Sequence, residues 1–92
     1  MNNDQRIGRI RSALQQTLVP VRLDVEDESH LHAGHAGARD GRGHFRVRIV
    51  SEAFTGMLPL ARHRAVYAAL GTMMETDIHA LSIDAQAPTE AD

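Results

Sequence analysis

The hydrophobic period changes sharply at Pro20, and that change restricts the chain to a helix packed on a sheet. Before it, Ile7, Ile10, Leu14 and Leu18 recur at spacings of three and four, the stripe of a one-faced helix that Asp4 is placed to cap and Pro20 to stop. After it the period is two. Val21, Leu23 and Val25 alternate with Arg22, Asp24 and Glu26, and further on Phe45, Val47 and Ile49 alternate with His44, Arg46 and Arg48. Each run is a strand with one apolar face. The acidic outer positions of the first and the basic outer positions of the second fit an antiparallel pair, in which opposite charges face each other.

The second half supplies the remaining cover. Ser51 caps a short helical turn over Glu52-Ala53-Phe54-Thr55, closed by Gly56 in a left-handed conformation. Pro59 suits the first position of a helix whose apolar face is Ala65, Val66, Ala69, Leu70, Met73 and Met74, with Gly71 inside it as an expected mark of close packing. Ile78 to Ala85 reads as a third strand, with His79 at its head and Leu81 and Ile83 in register behind it. The polar tail from Gln86 reads as disordered. The expected order is α-β-β-(short α)-α-β, an α+β fold with a three-stranded mixed sheet and its helices on one face. At 92 residues the chain holds one domain, expected over 1–88 with a disordered tail at 89–92.

Composition narrows the chemistry. With no cysteine, disulfides, thiol catalysis and thiolate metal sites built from this chain alone are excluded. All ten basic residues are arginine and the formal charge is −2, so nucleic acid would have to be met by a local patch. No apolar run approaches the roughly 20 residues that span a bilayer, and the first residues are no signal peptide, so the expectation is a cytoplasmic protein without membrane attachment. A nucleophile motif and a His-Glu-x-x-His pair are both absent, which argues against an enzyme acting alone.

What remains is the segment between the first two strands, Asp27-Glu28-Ser29-His30-Leu31-His32-Ala33-Gly34-His35-Ala36-Gly37, continuing to Gly43. Three imidazoles in six residues, among glycines that let backbone approach a ligand, are the chain's one concentration of metal-binding groups. Long loops of this kind are functional or disordered. Zinc or copper binding by the His-x-His-x-x-His run alone stays open, because imidazole suits several metals.

With these residues in view, the chain resembles the BolA family over roughly Arg6 to Pro88. The resemblance is carried by Asp27-Glu28-Ser29, His44-Phe45 with Ile49-Val50-Ser51, Phe54-x-Gly56, Arg62-His63-Arg64 and Ile78-His79-Ala80-Leu81. It implies a class II KH-like fold, in agreement with the order read from periodicity. It also implies a non-enzymatic role beside a monothiol glutaredoxin of the Cys-Gly-Phe-Ser type, with a [2Fe-2S] cluster shared between the two and glutathione on the partner's side, in cluster trafficking and iron regulation. The ligands it implies fall on His32 and His79, with His30 and His35 in reserve as loop ligand or as groups that orient it.

The alternative carried by the resemblance is a transcriptional regulator that binds promoter DNA. Arg62, His63 and Arg64 at the start of the long helix, with Arg46 and Arg48 on the sheet, would then receive phosphates or an acidic partner. Bracing of the loop by Arg62 or Arg64 through Asp27 or Glu28 is the structural alternative. The KH-type GxxG clamp is not matched, since the corresponding junction reads Gly56-Met57-Leu58-Pro59. Whether the chain pairs with itself in the partner's absence is left open.

Overall fold

The computed structural model describes residues 2–29 and 43–91. Helix α1 (Asn3–Leu18) buries Ile10, Leu14 and Leu18, the stripe set by the apolar spacing. Its cap is Asn2 rather than Asp4. The Asn2 side chain accepts from the Gln5 amide at 2.8 Å and the Gln5 side chain returns a bond to the Asn2 amide at 3.0 Å, a reciprocal arrangement that uses two otherwise unbonded donors. Asp4 sits in the first turn, where its charge suits the helix dipole.

Strands β1 (Arg22–Asp27) and β2 (Gly43–Val50) pair antiparallel with Asp24 opposite Arg48 and Glu26 opposite Arg46. Val21 stays outside the ladder and exposed. Strand β3 (Ile78–Gln86) joins β2 in parallel, which gives a three-stranded mixed sheet in the order β1-β2-β3. Phe45, Val47 and Ile49 form the floor of the core, roofed by α1 and by Val66 and Leu70 of α2 (Pro59–Leu70), with Phe54, Met73 and Ile78 closing its ends. Between β2 and α2, Ser51 accepts from the Ala53 amide and caps a 3-10 turn at Glu52–Phe54. Its hydroxyl also donates to the Leu18 carbonyl, tying the end of α1 to the sheet.

Two expectations are corrected. Gly71 does not lie inside a long helix. It ends α2 at φ 60°, and a separate turn of helix, α3 (Met73–Thr76), follows. A Cβ at Gly71 would meet no neighbour within 4 Å, so the glycine serves its backbone conformation and not close packing. The segment after β3 is also ordered. Ala87 is buried, a turn closes with the Glu90 amide on the Ala87 carbonyl at 3.0 Å, and Glu90 meets Arg62 of α2. Polar composition suggested disorder, whereas the burial of Ala87 and the bonds that Glu90 makes to Ala87 and Arg62 fix the segment.

Both outer strands are touched by helix arginines. The Glu28 amide bonds the His44 carbonyl, so in this register the even-numbered residues of β1 face β2 and the Leu23 carbonyl points away from it. Arg11 Nη1 donates to that carbonyl at 3.1 Å. On the other side Gln86 carries the carbonyl that accepts from Ser51, leaving the Ala85 carbonyl outward, where Arg62 Nη1 donates to it at 3.1 Å.

Candidate metal centre

A polar cluster at one end of the sheet holds together the end of β1, the start of β2 and the start of β3. Asn3 Nδ2 donates to Asp27 Oδ2 and to Ser29 Oγ, both at 3.1 Å, and Asp27 Oδ1 accepts the Ser29 amide at 2.8 Å, an Asx turn that bends the chain out of β1. The same Ser29 hydroxyl accepts the His44 amide at 3.0 Å. Arg6 donates to Asn3 Oδ1 at 3.0 Å and faces Asp77, which is buried and takes Arg6 Nε at 3.5 Å on one oxygen and Arg9 Nη1 at 3.3 Å on the other. The Asp77 carbonyl accepts the Gly43 amide at 3.0 Å. The segment carrying His30, His32 and His35 thus leaves and rejoins the sheet through a fixed base.

His79 stands at that base in an unusual position. Gly43 is opposite Ile78 and His44 is opposite Ala80, so β3 carries one extra residue, and that residue is His79. Such bulges re-aim a side chain, and here the bulge takes His79 out of the register of Leu81 and Ile83 that simple alternation predicted. Its ring lies 5.0 Å from the His44 ring, centroid to centroid, with the planes inclined by 44°. His79 is exposed, whereas His44 is only 6% exposed. Among the described residues no group of three or more His, Cys, Asp or Glu side chains converges, so this pair is what the described chain offers to a metal at this end. His30, His32 and His35 lie outside the described residues.

Two imidazoles and no cysteine are an incomplete donor set for an iron-sulfur cluster, which takes four ligands, usually thiolates, with two histidines on one iron as a known variant. The set fits part of such a cluster, the remaining ligands falling to the histidine-bearing segment between β1 and β2 and to another molecule. The sequence left His44 without a role, because at the opening of β2 it could reach either the loop or the solvent side of the sheet. The base residues Asn3, Arg6, Arg9 and Asp77 lie far apart in the chain, and only the Asp27-x-Ser29 pattern was readable.

The basic residues are dispersed. Arg62 forms a two-pronged pair with Glu90, Nη1 to Oε1 at 2.6 Å and Nη2 to Oε2 at 2.8 Å, and also donates from Nε to the Met57 carbonyl at 2.9 Å. It is committed to the tail, not to Asp27 or Glu28, and its carboxylate partner is held down to a pKa of about 2 by that hydrogen bond and by the Ala87 amide. Arg64 is exposed and turned about 200° from Arg62 around the helix. His63 is half-buried. Arg46 pairs with Glu28 at 3.7 Å, and Arg48 is exposed on the sheet between Asp24 and Asp84. Arg62 and Arg64 therefore do not form one cationic patch.

An α+β domain of class II KH-like topology, with histidines gathered where β2 and β3 begin, is the class this arrangement defines. The model of the BolA-like protein family matches residues 14–90, and the chain belongs to that family. It is 46% identical over 91 residues to the chloroplastic protein BOLA1 of Arabidopsis thaliana, covering 96% of this chain and 57% of that protein. It is 41% identical over 75 residues to the DNA-binding transcriptional regulator BolA of Escherichia coli K12, covering 82% of this chain and 69% of that one. Among solved structures, the BolA domain of SufE1 from Arabidopsis thaliana superposes with a TM-score of 0.83 at 45% identity, covering 94% and 95% of the two chains. The chain spans little more than half the length of the Arabidopsis BOLA1 protein it matches.

Proposed function

We propose that this protein is a non-enzymatic adaptor that shares a [2Fe-2S] cluster with a monothiol glutaredoxin. His79 and a histidine of the segment between β1 and β2, His32 first, act as its ligands. The observation that carries the reading is the bulge that turns His79 out beside His44, at the end of the sheet from which the histidine-bearing segment departs. When bound, the cluster supplies one-electron chemistry and transferable iron and sulfide, and imidazole ligation raises its reduction potential relative to thiolates. The chain's own residues hold and aim. Asp77, fixed by Arg6 and Arg9, anchors the start of β3, and Ser29 anchors the start of β2, so that the His79 and His44 rings meet a partner from a rigid backbone.

Co-expression with a monothiol glutaredoxin and visible absorption and circular dichroism of the purified complex test this. A mixed complex should give a spectrum distinct from that of the glutaredoxin alone. His79→Ala and His32→Ala together should abolish the difference. His44→Ala should alter the spectrum or its stability without preventing assembly. An unchanged spectrum in the His32/His79 double variant would refute the ligand assignment.

The second reading, a DNA-binding regulator, is favoured by the Escherichia coli relative's description and by the exposure of Arg64 and Arg48. It predicts that Arg64→Ala weakens retention of duplex DNA and reduces the salt slope by about 0.9. Arg62→Ala should leave the slope unchanged, because Arg62 is occupied by Glu90.

A further inference from the structure

The outward side of α2 is apolar where a surface helix should be polar. Counting about 100° per residue, Tyr67, Leu60, Arg64, Ala68 and Ala61 fall within an arc of about 120°, with Arg64 at its middle. All five are exposed, Leu60 by 62% and Tyr67 by 40%, and Leu58 just ahead of the helix is 76% exposed. The opposite arc carries Val66 and Leu70 into the core, so the helix is apolar on both sides, the pattern of a helix covered on both sides. Helix α1 differs, its exposed positions being Asp4, Gln5, Gly8, Arg9, Ser12, Gln15, Gln16 and Thr17.

We infer that this side of α2 is a docking surface for an amphipathic helix of another protein that places a carboxylate against Arg64 among apolar side chains. Arg64 decides the occupant. It is the single charge on the arc and has no ion-pair partner among the described residues, so covering it demands an acid from outside. A second copy of this chain is disfavoured, because two α2 helices related by a two-fold axis would bring the two Arg64 side chains together near the midpoint of Pro59–Leu70. A membrane surface would call for several cations around the apolar stripe. Ala61 and Ala68 at the arc's edge allow a second helix to approach closely, and Leu60 and Tyr67 supply the larger contacts. Neither His44 nor His79 lies on this arc, so the inference does not require the cluster.

The experiment places a photo-crosslinking benzoylphenylalanine at Tyr67, and as control at Asp24 on the sheet, in the full chain in the cells that make it. The expected result is a Tyr67-dependent adduct with one other protein, mapped to a helical peptide bearing Asp or Glu. With the purified pair, Arg64→Glu should weaken binding at least tenfold, roughly the least that stranding a buried charge produces, while leaving the melting curve unchanged. Replacing the partner's acid with Arg should restore binding to Arg64→Glu, and His79→Ala should leave it untouched. Adducts with a second copy, with lipid, or no more frequent at Tyr67 than at the control would overturn the inference, as would affinity indifferent to Arg64→Glu.

Discussion

At the scale of single residues, two backbone positions are more tightly constrained than their side chains suggest. An ideal Cβ on Gly43 would lie 2.5 Å from two ring carbons of Phe45, and Phe45 is fully buried beneath α1. The ring has no room to retreat, so Gly43→Ala should lower stability by about 1–3 kcal/mol, read by thermal or urea unfolding. The same change would disturb the bond to the Asp77 carbonyl and, with it, the spectrum of any complex assembled at His79. Val19 is the converse case. This β-branched residue ends α1 at φ 44° and ψ 59°, a left-handed conformation that glycine adopts without strain, and its side chain is exposed and contributes little packing. Val19→Gly should therefore stabilise the protein, by about 1 kcal/mol, raising the melting midpoint by several degrees.

At the scale of elements, the tail and α2 form one unit. The Glu90 carboxyl is held at a pKa of about 2, chiefly by its hydrogen bond to Arg62 and then by the Ala87 amide. A depressed carboxyl contributes stability that is present above its unfolded value, near 4.5, and is lost as pH falls towards the folded value. The tail should stay docked from neutrality to about pH 5 and detach between roughly pH 4.5 and 2, followed by the Ala87 amide resonance across that range. Glu90→Gln should free Ala87 from burial and raise protease sensitivity at the C-terminus at neutral pH. Detachment at pH 6 in the unaltered protein would contradict this. Much of the element order was legible beforehand. The stripe of α1, the alternation in β1 and β2, the Ser51 cap and Pro59 all follow from local rules, and the facing of Asp24 and Glu26 by Arg48 and Arg46 follows from charge. What was not legible depends on distant partners. The division of α2 from α3 at Gly71 needs a dihedral that sequence does not display. The order of the tail rests on a pair separated by 28 positions in the chain. The placement of His79 depends on a bulge that no alternation pattern announces, and for that reason the sequence did not bring His44 and His79 together.

At the scale of the whole molecule, the arginines among the described residues serve mainly as internal ties. Arg6 and Arg9 meet Asp77, Arg46 meets Glu28, Arg62 meets Glu90, and Arg11 meets a backbone carbonyl. Among the described residues Arg22, Arg48 and Arg64 are left exposed without an ion pair, which is why DNA binding, if measured, should draw on Arg64 and not on its neighbour two positions earlier. No helix among the described residues is long and apolar enough to cross a membrane.

A sheet of three strands exposes two rows of unused amides, and rows of that kind invite neighbours to stack and grow into fibres. Here the guanidinium of Arg11 plugs one row at Leu23 and that of Arg62 plugs the other at Ala85. Replacing Arg11 with Ala should leave a folded protein whose concentrated solutions turn turbid on standing and bind thioflavin, while the parent stays clear. The arginine-only composition noted in the chain thus bears on shelf life as much as on recognition.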